Sequence, residues 1–441
     1  MTRRSAQPLT VSHRVLCAAL FAAGLGCVSA TTAPRSTASP APLAPLVLRA
    51  DSTHTDTLAT GAVHWSFSRA QGPWAIHVLE VDLARCWTPI ALKAGAAAVG
   101  RATTAALVRA LADSLALAGT ATGAALAPND SIPRVLGGVN ADFFSFAPPG
   151  VPTGAHVHEG RVITGPGDRP VFAVDSAGRP WIGILRVDGR LVIPADSLGG
   201  GDVAPAGDEP ASADTIRVEA WNRGASSGVA LFDRAWGGRT DSARGAVEVA
   251  VGGDGRVVAV DTLPAGVAIP EGGWIIVAAA AAARREVERL RALRPGVRVG
   301  ARTRLAPFHP RDAVGGFPVL LRDGRPPVKL EEQGSPRFGP VRHPRTAVAV
   351  GDSGRRLLLV TVDGRQPGYS AGMTLPELAS LLRELGAHDA LNLDGGGSTT
   401  LVVADDAGAL HVANRPSDGT GERAVANVLA VVRDAACRVP S

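Results

Sequence analysis

The stretch that most limits what this chain can fold into is RTAVAVGDSGRRLLLVTVDG, residues 345–364. Two apolar runs of strand length flank a short polar turn containing glycine, which predicts a pair of antiparallel strands. The next segment, TLPELASLLRELGA, predicts a helix whose two ends are both written in the sequence. Thr374 stands at the N-cap position and Glu377 where a capping box needs it. Pro376 falls in the first turn, where its missing N–H costs nothing, and Gly386 marks the stop. Leu378, Leu382 and Leu385 form one stripe for burial. Then ALNLDGGGS predicts a strand running into a glycine turn, TLVV another strand, and ANVLAVV a last one after a polar loop.

Earlier segments follow the same grammar more loosely. WAIHVLEVDL alternates as a half-buried strand does, and TTAALVRALADSLALA has helical spacing through Leu107, Leu111 and Leu115. PRVLGGVNADFFS predicts a strand then a turn, and VEVAVGGDGRVVAV a hairpin about GGDG. AAAAARREVERLRAL predicts a second helix, with Glu286 placed to pair with Arg289 and Glu288 with Arg291. GGDVAPAGDEPASAD is expected to be a loop or insertion. Strands mixed with few helices give an α+β fold, a mixed and mostly antiparallel sheet in a single catalytic domain. The chain's 52 glycines and 33 prolines agree with many turns and short strands. With 46% hydrophobic and 19% charged residues among 441, it is globular rather than disordered.

The amino terminus reads as a targeting segment. Arg3, Arg4 and Arg14 precede the apolar run VLCAALFAAGLG, which is short for a bilayer span. Residues 1–30 are therefore expected to be a signal peptide, ending after Ala30 or, as a lipoprotein, before Cys27. Cys27 would then carry a lipid anchor. Residues 31–48 are rich in Ser, Thr, Pro and Ala and form an expected linker, with the domain over 49–438. The expected location is exported: periplasmic, cell-envelope or extracellular. In that oxidising setting, the pair Cys86 and Cys437 is expected to form a disulfide tying the first core strand to the last.

Function has to be sought in the polar residues at strand ends. The net charge of +5 is small for this length, and no Lys/Arg block interleaved with aromatics appears, so nucleic acid is not an expected partner. GGVNADFFS carries Asn140 and Asp142, either turn formers or cleft residues. VRHPRTAVAV carries His343 and Arg345, whose guanidinium would fit a phosphate. DGGGST carries Asp394, Gly395, Gly396, Gly397 and Ser398. Successive glycines can turn backbone N–H groups into an anion nest, although a tight turn alone would also use them. NRPSDGTGERAVANVLAV adds Asn414, Arg415, Asp418, Glu422, Arg423 and Asn427. No H-E-x-x-H or G-x-S-x-G is present. Carboxylate pairs suit glycosidic chemistry, while arginines and a nest suit phosphate. A sugar joined through its anomeric carbon to a phosphodiester combines the two, as one option among several.

These same stretches resemble the phosphodiester glycosidase family, in order over residues from about 75 to 433. LLLVTVDGRQPGYSAGMTLPELASLLRELGAHDALNLDGGGSTTLVV is the most specific segment. The resemblance implies hydrolysis of a sugar-1-phosphodiester to the sugar and a phosphomonoester. It points to Asn140, Arg345, Asp363, Asp394, Gly395 to Gly397, Ser398, Arg423 and Asn427. The family reads Asn-Gly-Gly-Phe-Phe where this chain has Asn140-Ala141-Asp142-Phe143-Phe144, a departure that either loses a close backbone approach to ligand or adds the Asp142 carboxylate. The expected catalytic carboxylates are Asp363, Asp394 and Asp142, with a carbohydrate phosphodiester as partner. The remaining named residues are expected to bind substrate and phosphate. No cofactor is expected, with Mg²⁺ or Ca²⁺ on Asp363 and Asp394 as the alternative for a phosphodiesterase cutting P–O. The other alternative is a non-catalytic binder of envelope glycan or anionic polymer.

Overall fold

A computed structural model describes residues 43–46, 49–95, 97–121, 135–193, 214–240, 245–262 and 266–434. The expected signal peptide, Cys27, Cys437 and the GGDVAPAGDEPASAD loop, except its last residue Asp214, lie outside the described residues. No helix among the described residues is long and apolar enough to cross a membrane.

The centre is two antiparallel sheets face to face, each with a helix on its outer side. The first sheet has seven strands, in the order Ser52–Ala59, Ala62–Arg69, Trp74–Asp82, Arg356–Val362, Arg345–Gly351, Ala387–Asn392, Val319–Leu321. The second has five, in the order Leu410–Val412, Leu401–Ala404, Val135–Asn140, Asn427–Arg433, Trp87–Lys93. Between them pack Leu79, Val348, Leu357, Leu359 and Leu391 from the first and Leu136, Val139, Leu401, Leu429 and Val431 from the second. The helix Leu375–Glu384 covers the outer face of the first sheet through Leu378, Leu381, Leu382 and Leu385. The helix Thr104–Ala121 covers the second through Ala105 and Val108. Strands buried on both faces need apolar residues at every position rather than at alternate ones. All seven residues of RTAVAVG are accordingly buried, as are the seven of RLLLVTV.

A second body of smaller sheets builds its own core. It includes the three-stranded sheet Asp214–Val218, Arg186–Ile193, Gly300–Ala306 and the helix Arg284–Ala292. The expectation of an α+β fold therefore needs correction in its balance. The described chain is mostly β, with three α-helices, and one strand pair, Ala220–Trp221 beside Val229–Asp233, is parallel. The capping box is formed as expected: Glu377 N–H donates to Thr374 Oγ1 and Thr374 N–H to Glu377 Oε2. The pairs expected on the Arg284–Ala292 helix are replaced by others. Arg284 meets Glu288 at 2.7 Å, and Arg289 reaches Asp214 on a neighbouring strand. Leu46, within the expected linker, is buried against the Leu375–Glu384 helix layer.

Candidate active site

Antiparallel pairing brings the polar strand ends to one edge of both sheets. Arg345 at a strand start faces Val362 at a strand end, with Asp363 next. Ala347 faces Asn392, which ends the strand leading to Asp394. In the other sheet, Leu401 faces Val139 and Val428 faces Asn140. Asn140 joins the two layers there, and it is fully buried. Its Oδ1 accepts from Thr346 Oγ1 at 2.8 Å and from the Thr400 N–H at 3.1 Å, and its Nδ2 donates to the Asp394 carbonyl at 2.6 Å. Asn140 is thus a clamp that positions the loop, not a group offered to a ligand.

The carboxylates divide into two kinds. Asp363 accepts from Asn414 Nδ2, the Arg415 N–H and Tyr369 OH at 2.8–3.1 Å. Burial raises its pKa, and these donors oppose the rise. It holds the Asn414–Arg415 loop against the sheet, and oxygens so engaged are poor metal ligands. Asp142 is buried, with Oδ2 accepting from the Gly154 N–H at 2.5 Å and Oδ1 left without a partner. Desolvation pushes its pKa up to about 7, against the pull of Arg169 and Arg223 and with a further push from Asp394. Asp394 is half-buried, and desolvation raises it to about 6, opposed by Ser398, Arg423 and Arg365. Ser398 Oγ favours its ionised form by proximity, without a well-aligned hydrogen bond joining them. The hydroxyls of Ser398, Thr399 and Thr400 are all buried without partners. Orphaned polar atoms cost roughly 1–3 kcal/mol each, so a row of them beside two protonatable carboxylates marks a place where water or substrate is taken. Asn427, also fully buried, accepts from the Asp142 N–H at 2.9 Å and meets His156 Nδ1 at 3.2 Å, and so fixes the Asp142 backbone.

The glycine turn differs from an open anion nest. The N–H groups of Gly396, Ser398 and Thr399 donate to the carbonyls of Pro344, Gly395 and Gly396. Gly396 has φ +63°, the left-handed region that favours glycine. A Cβ on Gly397 would overlap Asp418 Oδ1 and the Arg423 guanidinium. Glycine there allows the Asp418–Arg423 pair, joined by two bonds of 2.8 and 3.0 Å, to lie against the backbone beside Asp394.

Arg345 also differs from expectation. It is 1% exposed and donates to the carbonyls of Met373, Phe338 and Val341 at 2.6–3.0 Å. Its guanidinium ties down the 338–341 loop, and burial lowers its pKa to about 10. The positive charge that reaches Asp142 and Asp394 comes instead from Arg423 and from three arginines the motifs did not single out, Arg365, Arg169 and Arg223. Arg365 borders Gly396 and meets His343 Nδ1 at 3.2 Å. Its place in VDGRQPGYS, beside Asp363, was the available signal. Arg169 lies over the Phe143 and Phe317 rings at 5.4 and 5.2 Å, and no local motif marks it. Phe338 stands edge-on to Phe143, so a half-buried aromatic wall borders Asp142. Apart from the site, Asp323, His388 and Asp389 bring ligand atoms within 4.8 Å of one another, but Asp389 already accepts from Arg322 at 3.0 Å. For the disulfide, Cys86 is buried and its carbonyl accepts from the Asp434 N–H at 2.8 Å, three residues short of the undescribed Cys437.

Fold and site together define a β-rich protein with a carboxylate-and-arginine cluster at the rim of two packed sheets. Residues 245–432 match the family model NAGPA, phosphodiester glycosidase, whose name denotes a group of hydrolases. Arg345, Asp363, Asp394, Arg423 and Asn427 lie within the match, and Asn140 and Asp142 outside it. No curated protein matches. Among solved structures, a hypothetical protein from Synechocystis superposes with TM-score 0.66 at 22% identity, over 87% of this chain and 64% of that one. The chain thus spans less than two thirds of that protein's length. A protein from Burkholderia pseudomallei K96243 superposes with TM-score 0.58 at 24% identity, over 82% and 74%. These two likenesses establish the fold alone. The catalytic domain of zebrafish N-acetylglucosamine-1-phosphodiester alpha-N-acetylglucosaminidase, auto-inhibited by its pro-peptide, aligns with TM-score 0.39 at 16% identity, over 86% and 81%.

Proposed function

We propose that this protein is an exported hydrolase that cleaves a sugar-1-phosphodiester at the anomeric carbon. The observation that carries the reading is the pair Asp142 and Asp394, both raised by desolvation, with Asp394 pushing Asp142 up further, within reach of four arginine charges. Two carboxyl groups whose environments hold them near neutrality are what acid–base work on a glycosidic bond requires. Arginine forks suit the phosphodiester, and the aromatic wall suits a sugar face. In this reading water attacks the anomeric carbon while the C1–O bond breaks. The phosphomonoester leaves with the bonding electron pair, and a carboxylate takes the water proton. Asp394, the more exposed, directs the water, and Asp142 behind it shares the proton. A phosphate leaving group has a low pKa and needs little protonation from the enzyme.

A panel of sugar-1-phosphodiesters hydrolysed in ¹⁸O-labelled water tests this. Label in the sugar, with Asp394→Asn inactive and folded, is the expected result. Label in the phosphomonoester would establish P–O cleavage and overturn the reading. The expected Cys86–Cys437 bridge belongs to the same proposal of an oxidising location. Peptide mapping of purified exported protein without reductant should recover the linked peptides, and free thiols at both would refute the bridge.

A further inference from the structure

We infer that the outer face of the three-stranded sheet Arg186–Ile193, Asp214–Val218, Gly300–Ala306 is a docking track for a phosphodiester-linked polysaccharide. The inference rests on the proposed phosphodiester reading and extends it from a small diester to a polymer. Register places Arg217 opposite Arg190, and Arg190 opposite Arg302. Three exposed arginines therefore stand side by side in one row across three strands, about 5 Å apart from strand to strand. Like charges directly opposite one another work against a sheet. On the same face, Arg186 is two pairs along from Arg190, and Arg304 is joined to Asp188 at 2.7 Å. Arg186, Arg190 and Arg217 thus add positive charge to the face beyond the Arg304–Asp188 pair.

The track leads toward the cluster. A cavity of about 540 Å³ is lined by Arg186, Arg190 and Arg217, and a neighbouring one of about 400 Å³ by Arg186, Arg217 and Arg223. Arg223 is the arginine whose charge acts on Asp142, and it is held by the carbonyls of Gly165 and Gly154 at 2.9 and 2.7 Å. Asp168 and Glu219 also line the second cavity, which gives it hydrogen-bond acceptors for sugar hydroxyls. Neither cavity is lined by an aromatic residue, and single-stranded nucleic acids are held by aromatic stacking platforms. None of the exposed large apolar residues lies on these strands, so an anionic bilayer would find no apolar foothold. A hydrophilic chain of regularly spaced phosphates fits what remains.

The test uses the full chain and the double variant R190Q/R217Q, whose sites are exposed and outside the cluster. Binding of a purified poly(glycosyl phosphate) is measured by calorimetry in an Asp394→Asn background, which holds the polymer uncut. Removing two phosphate contacts should weaken binding about tenfold at low salt and reduce the slope of log K against log salt by roughly 2. Cleavage of a small methyl diester of a sugar-1-phosphate should be unchanged by R190Q/R217Q. Unaltered polymer binding in the variant would overturn the track, as would equal affinity for an oligodeoxynucleotide of matched charge. If the unmutated chain leaves the small diester intact, the catalytic reading fails, and binding lost with the arginine row still supports the track.

Discussion

The side-chain amide of Asn140 donates to the backbone carbonyl of Asp394 across 2.6 Å, and so one sheet's strand end sets the position of the loop that follows the other sheet's strand Ala387–Asn392. A second bond, from the Asp394 N–H to the Ala141 carbonyl at 2.8 Å, repeats the link on the backbone. Asp142 is only two residues from Asn140, so both carboxylates depend on this junction for their spacing.

Asn140→Ala removes the partner of Thr346 Oγ1, the Thr400 N–H and the Asp394 carbonyl at once. Groups buried and unsatisfied cost about 1–3 kcal/mol each, so a loss of at least about 2 kcal/mol is expected by urea titration. Activity should fall further than the folded fraction does, because the loop carrying Asp394 loses its anchor. An unchanged urea midpoint would refute the clamp.

Arg345→Ala should act on the fold and not on substrate affinity alone. Three carbonyls lose their donors, and the loop carrying Phe338 and Val341 is released. A destabilisation of about 2–4 kcal/mol is expected, in the range for breaking a buried network. Arg423→Ala, by contrast, removes a half-buried charge beside Asp394 and should raise KM more than tenfold with little change in Tm. If Arg345→Ala alters KM alone, the two roles assigned here are reversed.

Gly397→Ala puts a methyl group where Asp418 and Arg423 meet. The pair must separate, at about 1–3 kcal/mol as for other overpacked sites. Turnover should drop at least tenfold, and removing the obstacle with Asp418→Gly in the same chain should restore part of it. No recovery in the double variant would show that the glycine serves another purpose.

The parts of this architecture that were legible in the sequence are those set by local rules. The Leu375–Glu384 helix announced both its ends, and the strand pair Arg345–Gly351 and Arg356–Val362 was visible as two apolar runs about a turn. The site's address was visible as well, because polar residues at strand ends have few places to go but one edge. What each polar group does there was not legible. Arg345 and Arg423 look alike as sequence, but one is consumed by three carbonyls and the other by a partly exposed carboxylate. Arg169 and Arg223 come from segments without a motif and reach Asp142 only through tertiary packing. The excess of β structure was hidden for a related reason. The four-residue strands Arg161–Thr164, Val171–Val174 and Pro180–Gly183 are too short to show a period, although Arg186–Ile193 alternates over its whole length.

The pH response follows from the two raised carboxyls. Asp394 is held at about 6 and Asp142 at about 7, both well above the ordinary aspartate value. Hydrolysis needs one of the pair ionised and the other able to carry a proton, so kcat/KM should trace a bell between limbs near those values, which belong to the coupled pair. Stability should move with the opposite preference. Each group binds its proton more tightly folded than unfolded, so its stabilising effect is complete below about pH 4 and is lost as pH rises through 6 to 7. Asp142→Asn, which keeps an oxygen for the Gly154 N–H without a buried charge, should therefore stabilise the protein by about 1–2 kcal/mol at pH 8 and change little at pH 4. It should also remove the alkaline limb of the bell. Urea titrations at the two pH values, with a kcat/KM profile of the same variant, check both expectations. A variant less stable at pH 8 than the unmutated chain would show that Asp142 is ionised and well paired in the folded state, and its part in proton sharing would fall with it.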